Sequence, residues 1–237
     1  MSCILCLETA TSVCSVAVAI NGDVLSFKES DILNSHASLL TPFIEDVLRE
    51  ADLALDRLDA VAVSKGPGSY TGLRIGVSTA KGLCYALDRP LIAIGTLEAM
   101  AAGMASRIKN DNTMAKERCL LCPMIDARRM EVYDALYDLD NNRVRETKAE
   151  IIDEHSFAES FRDHTICFFG DNAAKCKPYL AHRPNAVFID DFLPSARHLA
   201  GPAEERYRKK MFEDVAYFEP FYLKDFIPGK PRVKGLG

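Results

Sequence analysis

The sequence predicts an α/β protein of two halves, each running β-β-β-α-β-α-β-α, with the second half reduced. Three observations carry this. The first 27 residues read as a meander of three strands; helical periodicity then alternates with short apolar runs as far as residue 105; and after a polar stretch the same order of elements begins again. A chain of 237 residues with 48% hydrophobic content can form one large domain or two ordinary ones, with cores that need no covalent staples.

The apolar run Cys3 to Leu7 is the first strand, and Glu8-Thr9-Ala10-Thr11-Ser12 is the turn after it. Cys14 to Ile20 alternates valine and alanine, Asn21-Gly22 is a strong two-residue hairpin signal, and Asp23 to Phe27 completes the meander. From Ser35 onward Leu39, Leu40, Phe43, Ile44, Val47, Leu48 and Ala51 recur at helical spacing. Pro42 fits the first turn of this helix or marks a kink. Ala60 to Val63 is a short buried strand, "SKGPGSYTGLRIGVSTAKG" (64–82) turns into a helix reaching about Leu87, and Pro90 to Ile94 is another strand. Leu97, Met100, Ala101, Met104 and Ala105 mark a third helix.

The polar segment "SRIKNDNTMAKER" (106–118) is read as a linker between domains at 1–105 and 119–226. Strands are expected in "RCLLCPMIDA" and "MEVYDALYDL" on either side of Arg128-Arg129, and near Val144 after the Asn141-Asn142 turn. A helix over 153–162, a strand from Thr165 to Phe169, a helix from Asn172 to Leu180 and a strand from Ala186 to Ile189 follow. A long helix from Ser195 to about Phe212 is expected to pack back on the first domain. The end, "IPGKPRVKGLG" (227–237), has the composition of a disordered tail.

Net charge is −5 and the isoelectric point about 5.6, which excludes a globally basic nucleic-acid surface, so RNA would be reached through a partner. Eight cysteines in a chain with no signal-peptide pattern read as free thiols of a cytoplasmic protein. Cys3-x-x-Cys6 and Cys119-x-x-Cys122 have zinc-ribbon spacing, but strand period two sends the members of each pair to opposite faces, so both are read as core pairs. No apolar run approaches the roughly 20 residues of a membrane span. The protein is expected to be soluble.

The glycine-rich segment fails both phosphate-loop patterns. A Walker loop needs Lys after its last glycine, where Gly72 is followed by Leu73-Arg74; a dinucleotide fingerprint needs glycine where Thr71 stands. A tight turn capped by Ser69 or Thr71 is the preferred reading, with anion binding at the free amides of the helix start as the alternative. Gly68, Gly72, Gly76 and Ala80 fall four apart, a smooth stripe that another helix could approach closely. Leu73, Val77 and Cys84 lie beside it, while Ile75 and Leu83 are expected to cover the sheet. Both helices thus carry surplus apolar surface, which predicts a helical dimer interface of Leu39, Leu40, Phe43, Val47, Gly68, Gly72, Leu73, Gly76, Val77 and Ala80. Burial of both helices within the monomer is an alternative of equal weight.

The segments "ILCLETATSVCSVAVAINGDV", "SHASLLTPFIEDVL", "GPGSYTGLRIGVSTAKGL", "IDARRMEVYDALY" and "FEPFYLKDF" resemble, in order and spacing, the bacterial TsaB (YeaZ) family, nearly to residue 226. The resemblance implies an actin, sugar kinase and heat-shock ATPase type of fold. It also implies a noncatalytic role as partner and platform for the paralogue TsaD in making N6-threonylcarbamoyladenosine at position 37 of tRNA. A TsaE-like ATPase joins that complex, and the free protein pairs with a second copy. ATP or ADP would sit at the partner interface, with no intrinsic cofactor.

In TsaD-like proteins a His-x-x-x-His pair holds a metal; here Thr96 and Met100 occupy the matching places, so no metal site is expected. His36, His155, His164, His182 and His198 include no i, i+4 pair, and His36 is read as a helix-start residue. In actin-like ATPases the first turn contacts phosphate, but Glu8 to Ser12 has neither glycine nor lysine, and Glu8 replaces the aspartate usual in the family. Glu8, Thr9, Thr11, Ser69 and Arg128 are the candidate nucleotide or anion contacts. Asp126, Arg128 and Arg129 are preferred as a hairpin turn with solvated arginines, and Lys230, Arg232 and Lys234 as a solvated tail, with RNA contact second in both cases. An independent ATPase or metalloprotease is the competing reading of the whole chain.

Overall fold

In the computed structural model, residues 1–32, 35–111, 117–128 and 130–224 are described. The expected disordered tail with its three basic residues, and Arg129, lie outside them. The first half contains β1 (Cys3–Glu8), β2 (Cys14–Ile20), β3 (Asp23–Ser30), α1 (His36–Glu50), β4 (Ala60–Ser64), α2 (Tyr70–Leu87), β5 (Leu91–Ile94) and α3 (Thr96–Asn110). The second contains β6 (Cys119–Asp126), β7 (Glu131–Tyr137), β8 (Arg143–Ile151), β9 (Thr165–Phe169), α4 (Lys177–Leu180), β10 (Ala186–Ile189) and α5 (Ala200–Arg208).

The strands form two five-stranded sheets, ordered β3-β2-β1-β4-β5 and β10-β9-β6-β7-β8. Read from its other edge, the second repeats the first, so β1 matches β6 and β4 matches β9. In each, the first three strands are antiparallel and the last two run parallel to the central one.

Alternation along the strands builds the layers. Leu5, Leu7, Val16, Val18, Val61 and Val63 face α1 and α2, meeting Leu40, Ile44 and Val47 of α1 and Val77, Ala80 and Cys84 of α2. The opposite face carries smaller residues, Ala17, Ala60 and Ala62, against Ala99 of α3 and Ala203 of α5. α3 turns Met100, Met104 and Ile108 toward Leu121, Tyr133 and Phe169 of the second sheet, so it lies between the two sheets. Phe157, Phe161, Cys176 and Leu180 cover the far face of the second sheet. All eight cysteines are buried free thiols, and the pairs divide as strand parity requires: Cys3 and Cys6 in different clusters, Cys119 and Cys122 likewise.

Several expected boundaries are corrected. Pro42 stands inside α1, seventh from its start, and the helix continues to Glu50. α3 runs to Asn110, into the segment read as linker, because Ile108 is buried against the second sheet. The helix expected over 153–162 is reduced to a 3-10 turn at Ser160–Arg162. Asp153 accepts the His155 amide on its own carboxylate and Phe157 takes φ 60°, so local side-chain bonding and a left-handed residue break the helix. The 172–180 helix is a 3-10 turn at Ala173–Cys176 followed by the single turn α4. The long last helix is a Ser195-capped 3-10 turn at Ala196–Leu199 followed by α5, which ends before Lys210 at φ 54°.

Beyond α5 the chain forms a strap. The Glu213 amide donates to the Leu91 carbonyl, Lys81 Nζ donates to the carbonyls of Ala216 (3.1 Å) and Phe218 (2.9 Å), and the Phe221 amide donates to the Lys65 carbonyl (2.7 Å). Lys224 then pairs with Glu131 and donates to the Ala127 carbonyl. Residues 211–224 therefore run from the edge of the first sheet to the β6–β7 turn of the second. Where the strap crosses, Gly66 sits at φ 112°, and a Cβ there would lie 2.5 Å from the Phe221 carbonyl oxygen.

Candidate functional site

The glycine-rich segment starts α2 by a specific cap. Ser69 is extended and its hydroxyl accepts the Gly72 amide at 3.3 Å, as expected of a serine ahead of a helix. The stripe that follows faces inward. A Cβ on Gly68 would overlap the Ala10 carbonyl oxygen, one on Gly72 the Thr9 carbonyl oxygen and one on Gly76 the Thr9 hydroxyl, all inside the 3.0 Å that real Cβ atoms essentially never show. The glycines are small because the β1–β2 turn of the same chain lies on them. The Ser69 amide donates to the Ala10 carbonyl (2.6 Å) and the Thr9 hydroxyl to the Gly72 carbonyl (2.9 Å), which fastens turn to helix.

This corrects the expected orientation of α2. Gly72, Leu73, Gly76, Val77 and Ala80 are buried within the chain, and so are Leu40 and Val47 of α1. Gly68 is pressed on the turn. Ile75 and Leu83, expected beneath the helix, flank its outer side and are half-buried, as are Leu39 and Phe43. Of the expected interface, Leu39 and Phe43 thus border the outward face, and its fully exposed part is made of other residues. Tyr85 is 86% exposed, Ala86, Ser78, Thr41 and Ala37 are exposed, and a Cβ on Gly82 would meet nothing within 4 Å.

Glu8 and Thr9 are completely buried, so neither presents a group to a ligand. The Glu8 carboxylate accepts the Ala10 amide (2.6 Å) and the Ser64 hydroxyl (2.8 Å) through the same oxygen; its second oxygen has no partner. An amide that could have met an anion is engaged by the chain's own carboxylate. Burial pushes the Glu8 carboxyl up to about 7, against the lowering effect of its hydrogen bonds to Ala10 and Ser64. A raised carboxyl pKa adds stability that is fully present below its unfolded value of about 4.5 and lost as pH rises through about 7. Glu8→Gln cannot titrate. Its stability relative to the wild type is expected to rise by about 3 kcal/mol between pH 4.5 and pH 8, measured by urea unfolding. Asp134, also pushed up to about 7 by burial, is common to both proteins and cancels. A pH-independent difference would contradict the assignment.

The remaining candidates are apart from this cluster. Thr11 accepts the Val13 amide within the turn at 3.3 Å. Arg128 is exposed at φ 69° in the β6–β7 turn, where its amide donates to the Asp126 carboxylate (3.2 Å); Lys175 also pairs with that carboxylate. The first is the bond of a tight hairpin turn, and the second ties that turn to the 3-10 turn at Ala173–Cys176. Thr96 and Met100 are buried in α3, and among the described residues no group of three or more His, Cys, Asp and Glu could hold a metal. His36 is buried at the start of α1, and His198 stacks on Phe192 (ring centroids 4.7 Å apart), its imidazole pushed down to about 4 by burial. No helix among the described residues is long and apolar enough to cross a membrane.

The model of the family described as "TsaD: tRNA N6-adenosine threonylcarbamoyltransferase" matches residues 31–227. The tRNA threonylcarbamoyladenosine biosynthesis protein TsaB of Escherichia coli is 30% identical over 236 residues, covering 96% of each chain. Among solved structures, YeaZ from Pseudomonas aeruginosa aligns with TM-score 0.79 and 29% identity, over 94% of this chain and all of that one. An activator of 2-hydroxyisocaproyl-CoA dehydratase from Clostridium difficile shares the fold at TM-score 0.50 and 11% identity, covering 90% of this chain and 98% of that one. The duplicated sheet order and these likenesses agree on one fold, shared with YeaZ and with the dehydratase activator. The chain belongs to the TsaB (YeaZ) family of tRNA threonylcarbamoyladenosine biosynthesis proteins.

Proposed function

We propose that this chain is a noncatalytic subunit that docks a TsaD-like transferase through the outer face of α1 and α2, in the cytoplasmic synthesis of N6-threonylcarbamoyladenosine at tRNA position 37. The observation that carries this reading is the outward face itself. It holds a nearly fully exposed Tyr85, the open Gly82 and the half-buried Leu39, Phe43, Ile75 and Leu83 on two adjacent helices. Exposed aromatic anchors beside half-buried aliphatic side chains suit a partner that completes their burial.

The family model spans both helices, so a TsaD-like chain carries counterparts of α1 and α2. Pairing the two faces would make a pseudo-symmetric four-helix contact, and a second copy of this chain can take the same place when the transferase is missing. A TsaE-like ATPase joins the assembled pair, and tRNA is reached only in the complex. A nucleotide, if shared, belongs at the subunit boundary, because the β1–β2 turn is closed by Glu8, Thr9 and the start of α2.

Reconstitution tests the reading. With a TsaD-like transferase, a TsaE-like ATPase, tRNA and the threonylcarbamoyl donor, modification is expected to require this chain, while this chain alone gives none. Tight stoichiometric ATP binding with hydrolysis by this chain in calorimetry, or transfer without the transferase, would overturn it in favour of an independent enzyme.

A further inference from the structure

Cys119 is the first residue of β6 and Cys167 the third of its parallel neighbour β9. The register pairs Cys119 with Thr165 and Leu121 with Cys167, so the cysteines are diagonal neighbours, and both pack in the same core cluster on the side that faces α3. Their sulfurs are 3.4 Å apart. A disulfide needs about 2.05 Å between sulfurs, and because diagonal neighbours stand roughly 7–8 Å apart, closure also draws the first residue of β6 toward β9. We propose that Cys119 and Cys167 form a reversible dithiol–disulfide pair that ties β6 to β9 when the protein meets a hydroperoxide.

The two sulfurs differ in role. Cys119 lies at the strand's open end, just after the exposed Arg118 at φ 53°, and is the less buried of the two, 5% exposed against 2%. The two thiols hydrogen-bond to each other, and either can be the donor. Its place at the strand end makes Cys119 the sulfur that a peroxide reaches first. Its thiolate takes one oxygen of the hydroperoxide, the O–O bond breaks, and the sulfenic acid forms with release of water or an alcohol. The Cys167 sulfur then attacks the Cys119 sulfur, the S–O bond breaks, and the hydroxyl leaves as water with the Cys167 proton. Two thiols are oxidised to one disulfide and one peroxide is reduced. A diagonal cross-link in a parallel pair strains the register, which places the bond among readily reducible disulfides that a dithiol reopens.

The test treats the folded full chain with hydrogen peroxide, alkylates free thiols under denaturing conditions and maps peptides. The expected result is six alkylated cysteines of eight, a Cys119–Cys167 cross-linked peptide and recovery of all eight after dithiothreitol. Cys167→Ala is expected to stop at a Cys119 sulfenic acid trapped by dimedone, and Cys119→Ala to leave Cys167 unoxidised. Wild-type mapping decides the matter should either variant fail to fold. Eight alkylated cysteines after peroxide, or cross-links through other cysteines, would overturn the proposal.

Discussion

Gly72→Ala is expected to lower the thermal unfolding midpoint of the isolated chain by about 6–12 °C, whereas Gly82→Ala, ten residues further along the same helix, is expected to raise it. Alanine is the better helix former by up to about 1 kcal/mol, so propensity alone favours both substitutions. What separates them is what the new Cβ meets. At Gly82 it meets nothing within 4 Å. At Gly72 it meets the Thr9 carbonyl oxygen, part of a turn fixed by the Ser69–Ala10, Thr9–Gly72 and Ala10–Glu8 hydrogen bonds. Backbone pinned in that way cannot retreat without losing those bonds, and overpacking of this kind costs about 3 kcal/mol. Thermal melts of the two variants beside the wild type check it. A Gly72→Ala protein as stable as the wild type would return the stripe to the role of an external interface.

Tyr85→Asp carries the second large effect. The side chain is 86% exposed, so the substitution removes no core contact and the isolated chain is expected to keep its melting temperature within about 2 °C. If α1 and α2 dock a TsaD-like partner, Tyr85 is an aromatic anchor, and its replacement by a charge buried in the contact is expected to weaken association about 30-fold or more. The pairing of an unchanged fold with lost association is what distinguishes a docking residue from a core residue. Substitution of Leu73 or Val77, buried on the inner side of α2, is expected to lower the melting temperature instead.

Much of the fold is legible in the residues. The Asn21-Gly22 hairpin, the alternation in β1, β2 and β4, and the helical period of α1 each follow from local chemistry, and the second sheet repeats the order of the first. What was not legible has physical causes. Phe157 and Phe161 stand at helical spacing, yet Asp153 closes a local turn and Phe157 is left-handed, so the period is produced by separate turns. The glycine stripe records that something approaches α2 closely, but spacing does not say whether the visitor is another protein or a turn 60 residues earlier in the chain. Glu8 offers no sign in the sequence that its partners are the Ala10 amide and Ser64, because β1 and β4 meet only in the folded sheet. Tyr85 and Gly82 have no periodic signature of their own; an outer face is visible only when the inner one is known.

The proposed docking is tested by the affinity of the purified chain for a TsaD-like transferase, by titration calorimetry, for the wild type and Tyr85→Asp. A stoichiometric complex is expected for the wild type and at least about a 30-fold loss for the variant, with both chains equally folded. A wild-type chain that stays monomeric and ignores the transferase, or a Tyr85→Asp variant that binds it equally well, would rule out docking through this face.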